Sequence, residues 1–354
     1  MVKNAASLLV VVSLGLSVLI GVAVARRGAV SAGRAAGEPH TLVIGLSLDT
    51  LKEARWQRDR DYFTARANAL GARVSVQSAN SDDTRQIQDV KALLASKVDA
   101  LVIVPHNGAA MAAGVREAQR AGVPVIAYDR LIEECDLDLY LSFDNVRVGE
   151  LQARYLVAHL PGGRGKIVRI YGAPTDHNAV LFKEGQDLVL QPLIARGDIT
   201  VVHEDWAADW DPANAKKIIN AALTKGTAFD AVLVSNDGTA GGAIQALKEA
   251  NLAGKILVTG QDAEVVACQR IANGTQAMTI YKPIKKLAER AAELAYAMAR
   301  GKPVVANGSV SNGFKAVPAV LLDVVAVDRN NLRQTVVADG FHSAADIYGA
   351  DAAE

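Results

Sequence analysis

From residue 41 onward the chain is built of short apolar runs, each stopping abruptly at a small cluster of hydrogen-bonding side chains. LVIGLSL ends at Asp49-Thr50, VSVQ at Ser78-Ala79-Asn80, ALVIVP at His106-Asn107, PVIA at Tyr128-Asp129-Arg130, AVLV at Ser235-Asn236-Asp237 and KILVTG at Gln261-Asp262. Short runs of this kind, bounded by turn residues, predict buried parallel strands. Strands at 42–48, 73–77, 100–104 and 123–127 alternate with helical stretches at 53–70, 83–96 and 109–121. Gly71 and Gly122 fall just past helix ends, where a left-handed cap strains glycine least. The pattern restarts with strands at 166–171, 199–203, 231–235 and 256–259 and helices at 178–195, 212–225, 239–250 and 263–273. The fold class is therefore α/β, with two doubly wound parallel-sheet domains. Extended runs at 139–145, at 277–283 and after Gly301-Lys302-Pro303 read as passes between them, a hinge of three crossings that permits opening and closing.

In an open parallel sheet the carboxyl ends of the strands face one crevice, where ligands bind. The clusters here mix carboxylates, guanidinium groups and amides, so they offer both acceptors and donors. That mixture suits a polar, uncharged, polyhydroxylated ligand such as a sugar better than an anion.

Composition narrows the classes. At 354 residues the chain can bury two cores, and 50% hydrophobic with only 5% aromatic residues fits buried strands alternating with helices. The formal charge is zero, so the basic excess of a nucleic-acid-binding surface is missing. Cys135 and Cys268 are far apart with no CxxC spacing; they read as small buried residues, with a disulfide left open. The sequence has no HExxH, no nucleophile elbow and no GxGxxG after the first strand, so neither a metal, a cofactor nor catalysis is expected. Asp129 and Asp262 would be a glycosidase's two carboxylates, but arginine neighbours keep such groups ionised and deny a general acid its raised pKa. The Gly-rich run 162–166 precedes a strand and lacks a following Ser/Thr, so it reads as a turn, and Asp328-Arg329-Asn330-Asn331 as a helix start.

Leu8 to Ala25 is an unbroken apolar stretch with Lys3 before it and Arg26-Arg27 after it. It reads as an export segment, either a signal peptide cleaved near Ala23-Val24-Ala25 or a retained membrane anchor, and residues 1–37 are set apart on that ground.

Ten segments carry a resemblance, in this order: LKEARWQRDRD at 51–61, QSAN at 77–80, AYDR at 127–130, SFDNVRVGELQA at 142–153, Asp176-His177-Asn178-Ala179, DWDPANA at 209–215, SNDGTAGGAIQAL at 235–247, GQDAE at 260–264, YKPI at 281–284 and DGFH at 339–342. Together they resemble the periplasmic sugar-binding proteins of the ribose/galactose/xylose type, most of all the branch serving D-xylose importers of the ABC class. The resemblance implies the type I periplasmic-binding-protein fold, with one lobe of 38–143 and 282–306, a second of 144–281 and 307–345, and a tail at 346–354. It implies a monomer in the periplasm, or on the outer face of the cytoplasmic membrane, that closes two hinged lobes over D-xylose. The sugar would be delivered to an ABC permease with its cytoplasmic ATPase. The alternative is another monosaccharide presented to a membrane sensor.

Residue by residue, Asp129 and Asp262 would each accept from two adjacent hydroxyls, and Arg55 and Arg130 would supply forked donors. Asn178 and Asn236 offer one acceptor and one donor group each, Lys282 adds a cation, and Asp176 completes the polar set. Asp237 is expected to cap the helix that follows while Asn236 meets the ligand. By the resemblance, Trp56 and Trp210 stack on the C–H faces of the ring, with Trp206 the competitor to Trp210. His177 stands where the family usually has Asn and is left out of the set.

Overall fold

The computed structural model describes residues 41–349 apart from Glu53 and Thr227, so the export segment expected at 1–37 lies outside the described residues. Two compact units emerge, one running to Phe143 and resuming over Ile284–Leu322, the other comprising Asp144–Pro283 and the chain from Asp323. The chain passes from one unit to the other three times, after Phe143, Pro283 and Leu322.

In the first unit, strands β1 (Val43–Leu48), β2 (Arg73–Ser78), β3 (Ala100–Ile103), β4 (Val125–Tyr128) and β5 (Leu139–Phe143) alternate with helices α1 (Ala54–Ala69), α2 (Asp83–Ala95) and α3 (Ala112–Arg120) up to β4. They pair in parallel in the order β5-β4-β3-β1-β2, with Leu46 opposite Val76 and Val102, and Ile126 opposite Leu139. Every residue of β3, β4 and β5 is buried, which explains why these strands are apolar without alternation. Asp82 caps α2 by accepting from the Arg85 amide.

The segment 307–322, assigned by sequence to the second lobe, instead extends this sheet. Ala316–Leu322 pairs in parallel with β5, Val320 opposite Leu141, and Gly308–Ser311 folds back on it antiparallel at the edge. The physical reason is the ladder: β5 has a second edge whose amides and carbonyls need partners, and an apolar strand supplies them. Conversely, Lys282 and Pro283 belong to the second unit.

In the second unit, α4 (Asn145–His159) leads to β6 (Gly165–Tyr171), followed by α5 (His177–Ala195), β7 (Ile199–Trp206), α6 (Pro212–Thr224), β8 (Ala231–Val234), α7 (Asp237–Glu249), β9 (Leu257–Val258), α8 (Val265–Ala272) and β10 (Met278–Tyr281). The parallel order is β7-β6-β8-β9, while β10 pairs antiparallel with Val325–Asp328. Alternate residues of β6 and β8 face two cores: Val168, Ile170, Val232 and Val234 pack on α6 and α7, and Ile167, Ala231 and Leu233 pack on α4 and α5. The helix expected at 263–273 begins only at Val265, because Asp262 and Ala263 hold left-handed φ of 96° and 48°. The expected tail is in part structured: Ala344–Tyr348 is a helix with a Ser343/Asp346 capping box, and Ile347 is buried beside Cys268. No described helix is long and apolar enough to cross a membrane.

Candidate functional site

Each unit gathers polar side chains at its strand ends. In the first, Asp129 follows β4 with φ of 64°, a left-handed conformation that Asp tolerates better than most residues. Its carbonyl accepts from the Tyr140 hydroxyl at 2.9 Å and the Ser142 hydroxyl at 2.7 Å, which fixes the turn. Its carboxylate accepts from the Arg55 guanidinium, presented by the first turn of α1. Asp59, one helical turn on, lies 3.5 Å from Arg55 Nε and also accepts from the Tyr128 hydroxyl. Arg130 donates to Asp49 Oδ2 at 2.8 Å and to the Pro105 carbonyl at 3.2 Å, while His106 Nδ1 lies 3.0 Å from Asp49 Oδ1. Burial works to raise the Asp49 pKa, but the His106 hydrogen bond and the Arg130 charge outweigh it and hold the carboxyl below its ordinary range. The same hydrogen bond to Asp49 is the main reason that His106 is raised. Trp56 is only 5% exposed, with the guanidinium carbons of Arg55 and Arg130 at 4.4 and 5.4 Å from its ring centroid.

Arg55, Trp56, Asp129 and Arg130 are thus brought together, and Asp49, His106, Asp59 and Tyr128 join them. Asp49, His106 and Tyr128 already stood at the ends of apolar runs, which was the available signal. Asp59 was signalled only by its i+4 spacing from Arg55.

In the second unit, Asp176 is 5% exposed and caps α5: Oδ1 accepts from the Asn178 amide at 3.0 Å, and Oδ2 accepts from Trp210 Nε1 at 3.1 Å. Trp210 sits on a backbone with φ of 56°, after Asp209 at 55°. Its ring lies against Gly172 so closely that a Cβ at that glycine would overlap it, and the edge of Phe182 is 6.3 Å away by ring centroids. Trp206 instead packs on Tyr171 at 4.9 Å. Asn178 is buried and accepts from Asn145 Nδ2 at 2.8 Å. His177 is the first residue of α5.

The helix cap expected of Asp237 is made by Asn236 instead. Asn236 is the N-cap of α7, its Oδ1 accepting from the Thr239 amide at 3.0 Å, so its Nδ2 group is what it can offer a ligand. Asp237 is completely buried and accepts from Gln276 Nε2 at 2.7 Å, the Thr279 hydroxyl at 2.8 Å and the Glu264 amide at 3.0 Å. Burial, with the Glu264 and Asp262 charges, pushes its carboxyl well above the usual range, against the Thr279 and Gln276 donors. Asp262 Oδ1 lies 2.8 Å from Lys282 Nζ, whose side chain is only 2% exposed.

Chemically, each unit by itself pairs carboxylate acceptors with cationic or amide donors. Such groups bind hydroxyls without needing a proton transfer. Among the described residues no group of three His, Cys, Asp or Glu side chains is arranged to hold a metal ion. Both cysteines are free and buried, burial pushing the Cys135 thiol up to about 11 and Cys268 to about 12.

Residues 44–303 match the family described as periplasmic binding protein domain. The chain is 48% identical over 322 residues to the D-xylose-binding periplasmic protein of Haemophilus influenzae, covering 91% of this chain and 96% of that one. It is 46% identical over 305 residues to the D-xylose-binding periplasmic protein of Escherichia coli, covering 86% and 92%. A carbohydrate transporter solute binding protein from Chloroflexus aurantiacus, solved in complex with D-glucose, is similar at a TM-score of 0.81 and 36% identity, covering 87% of this chain and 98% of that one.

Proposed function

We propose, since this chain belongs to the periplasmic binding protein domain family, that its ligand is D-xylose and that it hands the sugar to a membrane permease driven by a cytoplasmic ATPase. It is a sugar-binding component of the importer class and not an enzyme. The polar set that binds the sugar is Arg55, Trp56, Asp129 and Arg130 in the first unit and Asp176, Asn178, Trp210, Asn236, Asp262 and Lys282 in the second. Export by the amino-terminal segment to the periplasm, or to the outer face of the cytoplasmic membrane, belongs to the same reading.

The observation that carries it is the pairing of each principal carboxylate with a cation, Asp129 with Arg55 and Asp262 with Lys282. Each pair is close to neutral, so neither unit invites an anion, yet each keeps oxygen acceptors and nitrogen donors for neighbouring hydroxyls. Hydrogen bonds to charged groups contribute about 1.5–3 kcal/mol each, so a few of them, with ring contacts, reach the ~8 kcal/mol of micromolar binding. The two relatives near half identity, both named for D-xylose binding, support the pentose over the hexose. The D-glucose complex of the Chloroflexus protein supports a hexose as the second reading.

Calorimetric titration with D-xylose, D-glucose, D-ribose and L-arabinose tests this. Micromolar or tighter binding of xylose with the others far weaker is the expected result. Tight glucose binding without xylose binding would move the chain to the second reading, and no binding of any of the four would remove the sugar assignment.

A further inference from the structure

We infer that Asp237 is the positioning residue for the Asp262–Lys282 pair, an inference that rests on reading Asp262 as a sugar-binding residue. Asp262 stands on a difficult stretch of chain: it and Ala263 occupy consecutive left-handed conformations, with φ of 96° and 48°, without a glycine at either place. Such backbone persists only where surrounding contacts over-determine it.

Asp237 supplies those contacts from both sides. Its amide donates to the Gln261 carbonyl at 2.9 Å, one residue before Asp262. Its Oδ2 accepts from the Glu264 amide at 3.0 Å, two residues after. The residue between is reached by relay: the Thr279 hydroxyl donates to Asp237 Oδ2 at 2.8 Å and accepts from the Ala263 amide at 3.1 Å. Residues 263 and 264 are therefore tied to the Asp237 side chain, directly or through Thr279, and residue 261 to its backbone amide, while Asp262 turns its carboxylate to Lys282.

The tie is itself anchored. Asp237 Oδ1 accepts from Gln276 Nε2 at 2.7 Å, and Arg270 donates from Nε to Gln276 Oε1 at 2.9 Å and from Nη2 to the Asp237 carbonyl at 2.8 Å. Gly260 packs so tightly on Asp237 Oδ1 and Gln276 Nε2 that a Cβ there would overlap both. The carboxylate has no room to drift, so the bracket around Asp262 is stiff. Asp237 does not need to touch the sugar; it sets where the Asp262 oxygens stand.

The test is Asp237→Asn, which preserves volume and one carbonyl acceptor but turns an N–H toward donors, with Asp262→Ala as the reference. Sugar affinity is read by D-xylose calorimetry, and local order by amide hydrogen exchange of the sugar-free protein. Expected are an affinity loss of tenfold or more and faster exchange confined to residues 262–264, with β8 amides unchanged. Affinity within twofold of the parent, while Asp262→Ala abolishes binding, would overturn the inference. So would faster exchange spread evenly through the second unit, the mark of a merely structural role. If Asp262→Ala binds normally, the reading of Asp262 fails on its own account, and the exchange at 262–264 still decides whether Asp237 holds the loop. Should Asp237→Asn fail to fold, Thr279→Val cuts only the relay, and the same two readouts apply with a smaller affinity loss expected.

Discussion

Asp176 bonds a helix terminus with one oxygen and an aromatic ring with the other, so two substitutions separate the two jobs. Asp176→Ala removes both: the cap on the Asn178 amide at 3.0 Å and the partner of Trp210 Nε1 at 3.1 Å. Losing an N-cap costs about 1 kcal/mol and losing the hydrogen bond from the indole to the carboxylate about another 1.5 kcal/mol, so Asp176→Ala should lose roughly 2.5 kcal/mol. Asp176→Asn keeps a cap oxygen but sets an amide N–H against the indole N–H, so it should lose only about 1.5 kcal/mol. At about 2–4 °C per kcal/mol for domains of this size, the thermal midpoint should fall by about 5–10 °C for Ala and 3–6 °C for Asn. Both should release Trp210 from its left-handed backbone at φ of 56°, since the indole N–H that holds the ring donates to the Asp176 carboxylate. Sugar affinity should then fall in both, with similar shifts in tryptophan emission. Scanning calorimetry and fluorescence check this together. Equal midpoint losses for the two variants, or an unchanged emission spectrum, would refute the division of labour.

Gly172→Ala places a methyl group into the Trp210 ring; overpacking of this kind costs about 1–3 kcal/mol, and xylose affinity measured by calorimetry should fall more than stability does. For His106 and Asp49 the sign follows from the shifts. The lowered Asp49 stabilises the fold above its ordinary 3.8 and loses that as pH falls through its folded value, whereas the raised His106 stabilises below its ordinary 6.5 and loses that as pH rises through its folded value. Stability of the first unit from urea titrations should therefore be fullest between about pH 4 and 6.5 and decline above it, and His106→Gln should flatten that upper decline. With their thiols pushed up to about 11 and about 12 and buried, Cys135 and Cys268 should react with a disulfide reagent only as fast as the protein opens, as timed absorbance would show.

What could be read in the sequence was local. β3 and β4 announced themselves because a strand buried on both faces is apolar at every position, and the polar residues that stop it follow at once in the chain. Partner choice across long separations was not readable. Arg55 and Asp129 were both selected, but their bond spans 74 residues, and nothing local says that α1 brings them together. The hairpin after residue 307 was misassigned for the same reason, since its place depends on the ladder of β5, far earlier in the chain.

Asn236 and Asp237 show the limit most sharply. Adjacent Asn and Asp are equally good caps, so capping chemistry alone cannot say which of them the helix takes. The choice is made by Gln276 and Thr279, 39 and 42 residues onward, whose donors draw Asp237 into the interior and leave the cap to Asn236. Asp176 makes the complementary point: it was selected as a sugar ligand by its place in a motif, yet both of its oxygens already have protein partners. Part of what it contributes to affinity then passes through the ring of Trp210, which its Oδ2 holds, so removing the carboxylate and removing the ring should cost overlapping, not additive, amounts of binding energy.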